Sequence, residues 1–164
     1  MSAIEKGLPM SQLRDFQRSK VYSAETKHSK FKWKSHGNKL QKLSETKRYV
    51  ADITTSKWWK SHGGFMQVQV YDGRGRTRAC GTLSYVKLPK WSRTELVILH
   101  ELAHALTGQQ YERDRIKRAG HGCTFTKNYL DLIKRYLGHD DWLEMKELFR
   151  EHKVRTRSSK DKWQ

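Results

Sequence analysis

Cysteine is nearly absent. Two residues, Cys80 and Cys123, in a chain of 164 cannot build a disulfide framework. Long apolar runs are missing too: none is long enough to span a membrane as a helix, and no signal-peptide h-region opens the chain. A cytoplasmic location is the resulting expectation. No internal repeat is present. Apolar residues make up only 35% of the chain, but six Trp, seven Tyr and five Phe supply bulky core candidates, enough for one modest domain. Acidic residues are scarce as well: 17 against 34 Lys and Arg, a net charge of +17.

That imbalance favours polyanions through counterion release and steering. The charge is spread along the chain. Residues 27–60 carry Lys27, Lys30, Lys32, Lys34, Lys39, Lys42, Lys47, Arg48, Lys57 and Lys60, interleaved with Phe31, Trp33, Tyr49, Trp58 and Trp59. Cations mixed with aromatics suit a phosphate backbone and unpaired bases, so DNA or RNA is one expected partner. A basic surface with its aromatics in the core reads the same in sequence.

The most specific signal is His100-Glu-Leu-Ala-His104, inside the run 95–108. Two imidazoles four residues apart share one face of a helix, a turn apart, so both can reach one zinc ion. Glu101 then stands beside the first ligand, placed to take a proton from water on that metal. Leu96, Leu99, Leu102, Ala103 and Leu106 fall on the opposite side of the helix. Nearly everything else in the run is apolar, so the helix is expected in the core, where a Glu and two His need partners. Ser92 with Glu95 reads as a capping box, and Gly108 as the stop.

Catalytic zinc usually takes three protein ligands and leaves one position open. The metzincin continuation fails, because Thr107 and Gln110 stand where its Gly and His belong. Glu112, Glu144 and Glu147 are weaker candidates. His121 is favoured: it lies in Gly120-His-Gly-Cys-Thr-Phe125, flanked by glycines, just before a strong helical pattern. Cys123, two residues on, reads as an ordinary thiol.

His-Glu-Leu-Ala-His followed by His121-Gly-Cys-Thr-Phe125 resembles the SprT-like (Spartan-like) zinc metalloproteases. That resemblance implies His100, His104 and His121 as zinc ligands and Glu101 as general base. Where that family often has Pro, this chain has Cys123, a difference that leaves the ligands in place. Arg14-Asp15, Gln17-Arg18, Val21-Tyr22 and Ala24-Glu25 extend the similarity to small zinc metallohydrolases of actinobacteria and their phages, over roughly residues 14–150. The implied fold is α+β and zincin-like, a small antiparallel sheet packed on the motif helix with flanking helices. The implied setting is a bacterial or phage-infected cell.

Along the chain, residues 1–10 read as a flexible arm, 11–152 as the metallohydrolase domain and 153–164 as a basic disordered tail. A helix is expected over 11–26 with Leu13, Phe16, Val21 and Tyr22 buried. A second is expected over 44–57, with Ser44 as cap and Tyr49, Val50 and Ile53 as its stripe. Trp58 and Trp59 cannot both face the core in a strand and stand about 100° apart in a helix, so either one is exposed or both cap the domain. Residues 65–71 alternate as a strand, with Met66, Val68 and Val70 on one face. Asp72-Gly-Arg-Gly75 signals a hairpin to a second strand within 78–88, with Gly81 inside it. By resemblance, part of 80–88 is the edge strand along the cleft. Tyr129, Leu130, Leu132, Ile133, Tyr136 and Leu137 form the stripe of the next helix, and Asp140 caps a last one through His152, with Trp142, Leu143, Met145, Leu148 and Phe149 inward.

The leading expectation is a zinc-dependent metallopeptidase with a protein or peptide substrate and no membrane partner. Tyr85, Tyr111 and His139 are candidate donors to the oxyanion; His28, His36, His62 and His152 read as surface or structural. The competing readings are a zinc hydrolase of a non-peptide substrate, and a basic nucleic-acid-binding or structural protein that keeps zinc for folding. A general base at Glu101 argues against the last, since a structural site needs none.

Overall fold

The computed structural model describes residues 15–31, 40, 42–115 and 120–157. The expected N-terminal arm, Leu13, His36 and Trp33 lie outside them. Among the described residues the protein is mixed α+β, with six helices and a three-stranded sheet.

Helix α1 (Arg18–Lys27) starts later than expected. Asp15 Oδ1 accepts from the backbone N–H groups of Gln17 (3.2 Å) and Arg18 (3.1 Å), satisfying donors that open the helix. Its inward stripe is Val21, Ala24 and Glu25. Phe16 lies off that stripe, 69% exposed, and Tyr22 is 40% exposed, so neither joins the core. Helix α2 (Leu43–Thr54) buries Val50 and Ile53 with Tyr49 half-buried; Ser44 is exposed within its first turn, and Glu45 reaches back to the Lys42 N–H at 3.2 Å instead. The expected helix ends early because Ser56 Oγ caps a new one, α3 (Lys57–Ser61), by accepting from Trp59 N–H. The break lets Trp59 turn fully inward while Trp58 stays half-buried.

The sheet corrects the expected antiparallel hairpin. Strands β1 (Gln69–Asp72), β2 (Cys80–Gly81) and β3 (Tyr85–Leu88) lie in the order β1-β3-β2. β3 runs parallel to β1, with Val70 opposite Val86, and antiparallel to β2, with Gly81 opposite Val86. The tight reversal comes at 82–84. There Thr82 Oγ1 accepts from the N–H groups of Ser84 (3.4 Å) and Tyr85 (3.1 Å), and Thr82 N–H donates to Tyr85 O at 2.8 Å. This local turn splits the expected second strand into β2 and β3, and β3 lies between β1 and β2. The period-two pattern survives: Val68 and Val70 are buried, Met66 is half-buried, and Phe65, Gln67, Gln69 and Tyr71 are exposed.

Helix α4 (Glu95–Asp114) carries the motif and runs through the core. Leu96, Ile98, Leu99, Leu102, Ala103, Ala105 and Leu106 are all buried, so the helix is apolar nearly all round. Its cap is Thr94, whose Oγ1 accepts from Val97 N–H; Ser92 sits in a 3-10 turn (Lys90–Ser92) and donates to Pro89 O at 2.7 Å. Gly108 does not stop the helix. It gives room to Leu83, whose Cβ lies 3.0 Å from where a side chain at 108 would begin. Helices α5 (Cys123–Tyr136) and α6 (His139–Glu151) pack on α4 and α1. Tyr129, Leu130, Leu132 and Ile133 are buried as expected, whereas Leu143 is 47% exposed and Gly138, not Asp140, precedes α6 as its cap. Residues 153–157, expected in the tail, pack back: Val154 is buried and Arg155 O accepts from Gln17 Nε2 and Thr126 Oγ1.

Candidate metal centre

Helix α4 projects His100 and His104 one turn apart, with ring centroids 5.0 Å from each other. His121 reaches them from the loop before α5. Its ring lies 5.4 Å from His100 and 4.7 Å from His104. One ring nitrogen from each of the three lies within 4.8 Å of the others, a group able to hold a metal ion. The Nε2 atoms of His100 and His121 are 3.4 Å apart.

The far side of two rings faces carboxylates. His121 Nδ1 lies 2.6 Å from Asp15 Oδ2. His100 Nδ1 lies 3.2 Å from Glu25 Oε2, off the ideal hydrogen-bond direction and without a better-aligned partner. Glu25, itself buried, also accepts from Tyr129 OH at 2.7 Å through its other oxygen. A carboxylate at Nδ1 draws the proton there and leaves the Nε2 lone pair for a metal. Gln17 secures the loop of His121 by donating to His121 O at 3.0 Å. Phe125 backs all three imidazoles, with ring centroids 5.0, 4.4 and 4.8 Å away.

Burial and neighbours divide the titrations. Burial alone favours a neutral His100, but the Glu25 carboxylate outweighs it and holds the imidazole above its ordinary range. Burial pushes His104 well below that range, helped by His100 and His121. Burial also lowers His121, with Asp15 opposing. Burial raises Glu101, against the pull of His100 and of the Gly81 N–H that donates to it, and Glu25 adds to the rise. Glu101 is thus a stronger base than a solvated carboxylate.

Strand β2 touches this carboxylate directly. A Cβ at Gly81 would stand 2.5 Å from Glu101 O and 3.0 Å from its Oε2. A cleft of about 660 Å³ opens beside the motif, lined in part by Arg18, Tyr22, Phe31, Arg78, Trp91 and Glu101.

The structure therefore brings together His100, His104, His121 and Glu101. It sets aside the other ligand candidates. Glu112 pairs with Arg115, Glu147 with Arg150, and both oxygens of Glu144 accept from Ser29. Cys123 starts α5, outside the three-histidine group. Of the expected oxyanion donors, Tyr85 packs edge-on against Tyr71 and His139 against Trp142. The tyrosine at the cleft is Tyr22, stacked 5.4 Å from the His100 ring.

Asp15, Tyr22 and Glu25 were missed as site residues. They stood among the residues that carry the resemblance, and that was the usable signal, but no role was assigned to them. His28, Asp141 and Glu144 also cluster. There His28 Nδ1 accepts from Lys30 N–H, so its Nε2 carries the proton and donates to Asp141 O at 3.0 Å. No lone pair is left for a metal, and the group ties α1 to α6. His62 lies against Trp58 and His152 Nδ1 against Leu148 O, both structural contacts.

No family model, curated protein or solved structure matches this chain. The likeness to SprT-like proteases rests on the motif residues themselves. Among the described residues no helix is long and apolar enough to cross a membrane.

Proposed function

We propose that the protein is a zinc-dependent hydrolase, a metallopeptidase in the first instance, with His100, His104 and His121 holding the metal. One observation carries the reading. The three imidazoles converge on one point, two have a carboxylate at Nδ1, and the buried Glu101 lines the same cavity as His100.

Zinc suits this donor set. Two imidazole ligands at about 2.05 Å and a tetrahedral angle stand about 3.3 Å apart, and the His100 and His121 Nε2 atoms are separated by 3.4 Å. Bound there, zinc supplies Lewis acidity and brings the pKa of water toward neutrality.

The chain's own residues do the rest. Glu101, its pKa raised by burial, accepts the proton of the attacking water and returns it to the leaving amine. Tyr22 stays protonated, because burial first and then Glu101 and Glu25 raise its pKa. The hydroxyl proton of Tyr22, at the cleft beside His100, can meet a developing oxyanion. Strand β2, at the sheet edge beside Glu101, offers backbone groups to an extended peptide. A buried general base supports an enzyme over a zinc-stabilised binding protein.

The test is zinc content and casein cleavage by the wild type and Glu101→Gln, with and without single-stranded DNA. One zinc per chain in both proteins, with cleavage lost in the variant, supports the peptidase. Zinc without cleavage by the wild type defeats it and returns the site to a non-peptide substrate or a structural role. Stimulation by DNA gives the +17 charge a functional part.

A further inference from the structure

The cleft beside Glu101 holds two cations that nothing in the hydrolytic step requires. Arg18 comes from α1 and Arg78 from the segment that leads into β2. Both are exposed, and among the described residues neither forms an ion pair with a carboxylate. In a chain this basic an unpaired arginine is unremarkable by itself. The placement is what matters.

The Arg18 guanidinium lies 5.9 Å from the centre of the Tyr22 ring, and that ring stacks on His100. Arg78 lines the same cavity, next to Ala79 and ahead of the β2 edge. The apolar Phe31, Trp91 and Val97 line the same cavity, and Trp91 is 44% exposed.

We propose that the cleft takes a peptide bearing a carboxylate next to the bond that is cut, held by Arg18 and Arg78 with an apolar side chain packed on Phe31, Trp91 and Val97. The carboxylate is an acidic side chain or the peptide's own C-terminus. The inference rests on the peptidase reading and names its substrate class. A single carboxylate fits two guanidiniums, each of which presents a fork of donors. A nucleic-acid backbone fits worse, because it would carry a row of phosphates past Asp15, Glu25 and Glu101, which line the same cavity.

The experiment uses the zinc-loaded full chain and three matched peptides. One is neutral with an amidated end, one has an Asp or Glu beside the scissile bond with an amidated end, and one is neutral with a free C-terminus. The wild type is expected to favour one of the two carboxylate peptides by about tenfold or more in kcat/KM, mostly through KM, the scale of a charge-assisted hydrogen bond. Which of the two is favoured identifies the source of the carboxylate. Arg78→Gln and Arg18→Gln are expected to abolish that preference. Arg78→Lys retains part of it, and Arg78→Glu turns it toward Lys-containing peptides. Thermal melts confirm that these exposed substitutions leave the fold intact.

Equal kcat/KM for all three peptides overturns the proposal. So does a preference unchanged in both Gln variants, or a short single-stranded oligonucleotide that displaces the carboxylate peptide at lower concentration than a second peptide does. A binding measurement separates this inference from the reading beneath it. Labelled peptides are titrated into zinc-loaded Glu101→Gln by fluorescence anisotropy. If the wild type cleaves nothing, the peptidase reading fails, yet tighter binding of the carboxylate peptide that is lost in Arg78→Gln upholds the anion site. Equal binding removes it.

Discussion

Asp15 Oδ2 lies 2.6 Å from His121 Nδ1, joining residues 106 positions apart. The same carboxylate, through its other oxygen, caps the start of α1. One aspartate thus sets the helix that presents Tyr22 and Glu25, and orients the third imidazole.

Removing that orientation should weaken the metal without unfolding the chain. Asp15→Asn and Glu25→Gln are each expected to lower zinc affinity about 10- to 100-fold, the usual effect of losing a carboxylate behind a ligating histidine. Competition with a chelator of known affinity measures it. Unchanged affinity in both variants would show that the imidazoles are positioned by packing alone, with Phe125 as the main support.

The Tyr22 hydroxyl is expected to act only as charge develops on the substrate. Tyr22→Phe should cut kcat by about 10²- to 10³-fold, the cost of losing one oxyanion donor, with KM nearly constant. A matching rise in KM with kcat preserved would mean that the ring merely binds substrate.

Gly81 has no room for a side chain. A methyl group there would press within 2.5 Å of Glu101 O, a backbone atom held by α4. Gly81→Ala is expected to push β2 away from the helix and from the Glu101 carboxylate. Cleavage should fall by at least about tenfold while zinc content holds. Full activity in this variant would show that the edge strand is free to move from the base.

Gln109 is the polar bolt of the core. It is fully buried, accepts from the N–H groups of Phe65 (2.8 Å) and Met66 (3.2 Å) and from Trp59 Nε1 (3.3 Å), and donates to Met66 O and Leu83 O. Gln109→Leu keeps the volume but orphans five groups. A loss of roughly 3 kcal/mol or more is expected, read as a fall in Tm on the order of 10 °C. A Tm within about 2 °C of the wild type would mean that water replaces the amide.

Acid should loosen the contact between α1 and α6. Burial raises the Glu144 pKa, but hydrogen bonds from the Ser29 hydroxyl and backbone N–H, with the charge of Lys30 added, outweigh it and leave the carboxyl below its ordinary value. A depressed folded pKa gives stability that is present above the unfolded pKa, about 4.3, and is lost as pH falls through the folded value. Glu144→Gln should therefore lower Tm slightly at pH 7 and not at all once the wild-type carboxyl is protonated. Parallel wild-type and variant curves across that window would contradict the shift.

The histidines and the glutamate were legible because their chemistry is local. His100, Glu101 and His104 owe their relation to helical geometry, and His121 to a short glycine-flanked loop ahead of a helix. The buried faces of β1 and α5 were legible for the same reason: period two and period 3.6 are written into neighbouring residues. The ends of elements were harder. Ser92 and Thr94 compete for one cap, and Ser56 breaks a helix whose apolar pattern runs on, so side-chain hydrogen bonds a few residues apart decided the boundary. The paired strands were misread because a Gly-rich turn at 72–75 outweighed a quieter one built on Thr82.

Sequence alone determined that helix α4 would carry two imidazoles and a carboxylate on one face, that the chain would be strongly basic, and that a third histidine stood ready. Tertiary structure decided what surrounds them. Asp15 and Glu25 reach the imidazole rings, Gly81 reaches Glu101, and Arg18, Arg78 and Trp91 share one cleft only after distant segments have packed. Helical periodicity is a property of adjacent residues, whereas the partner of a buried charge is chosen by whichever element folds against it.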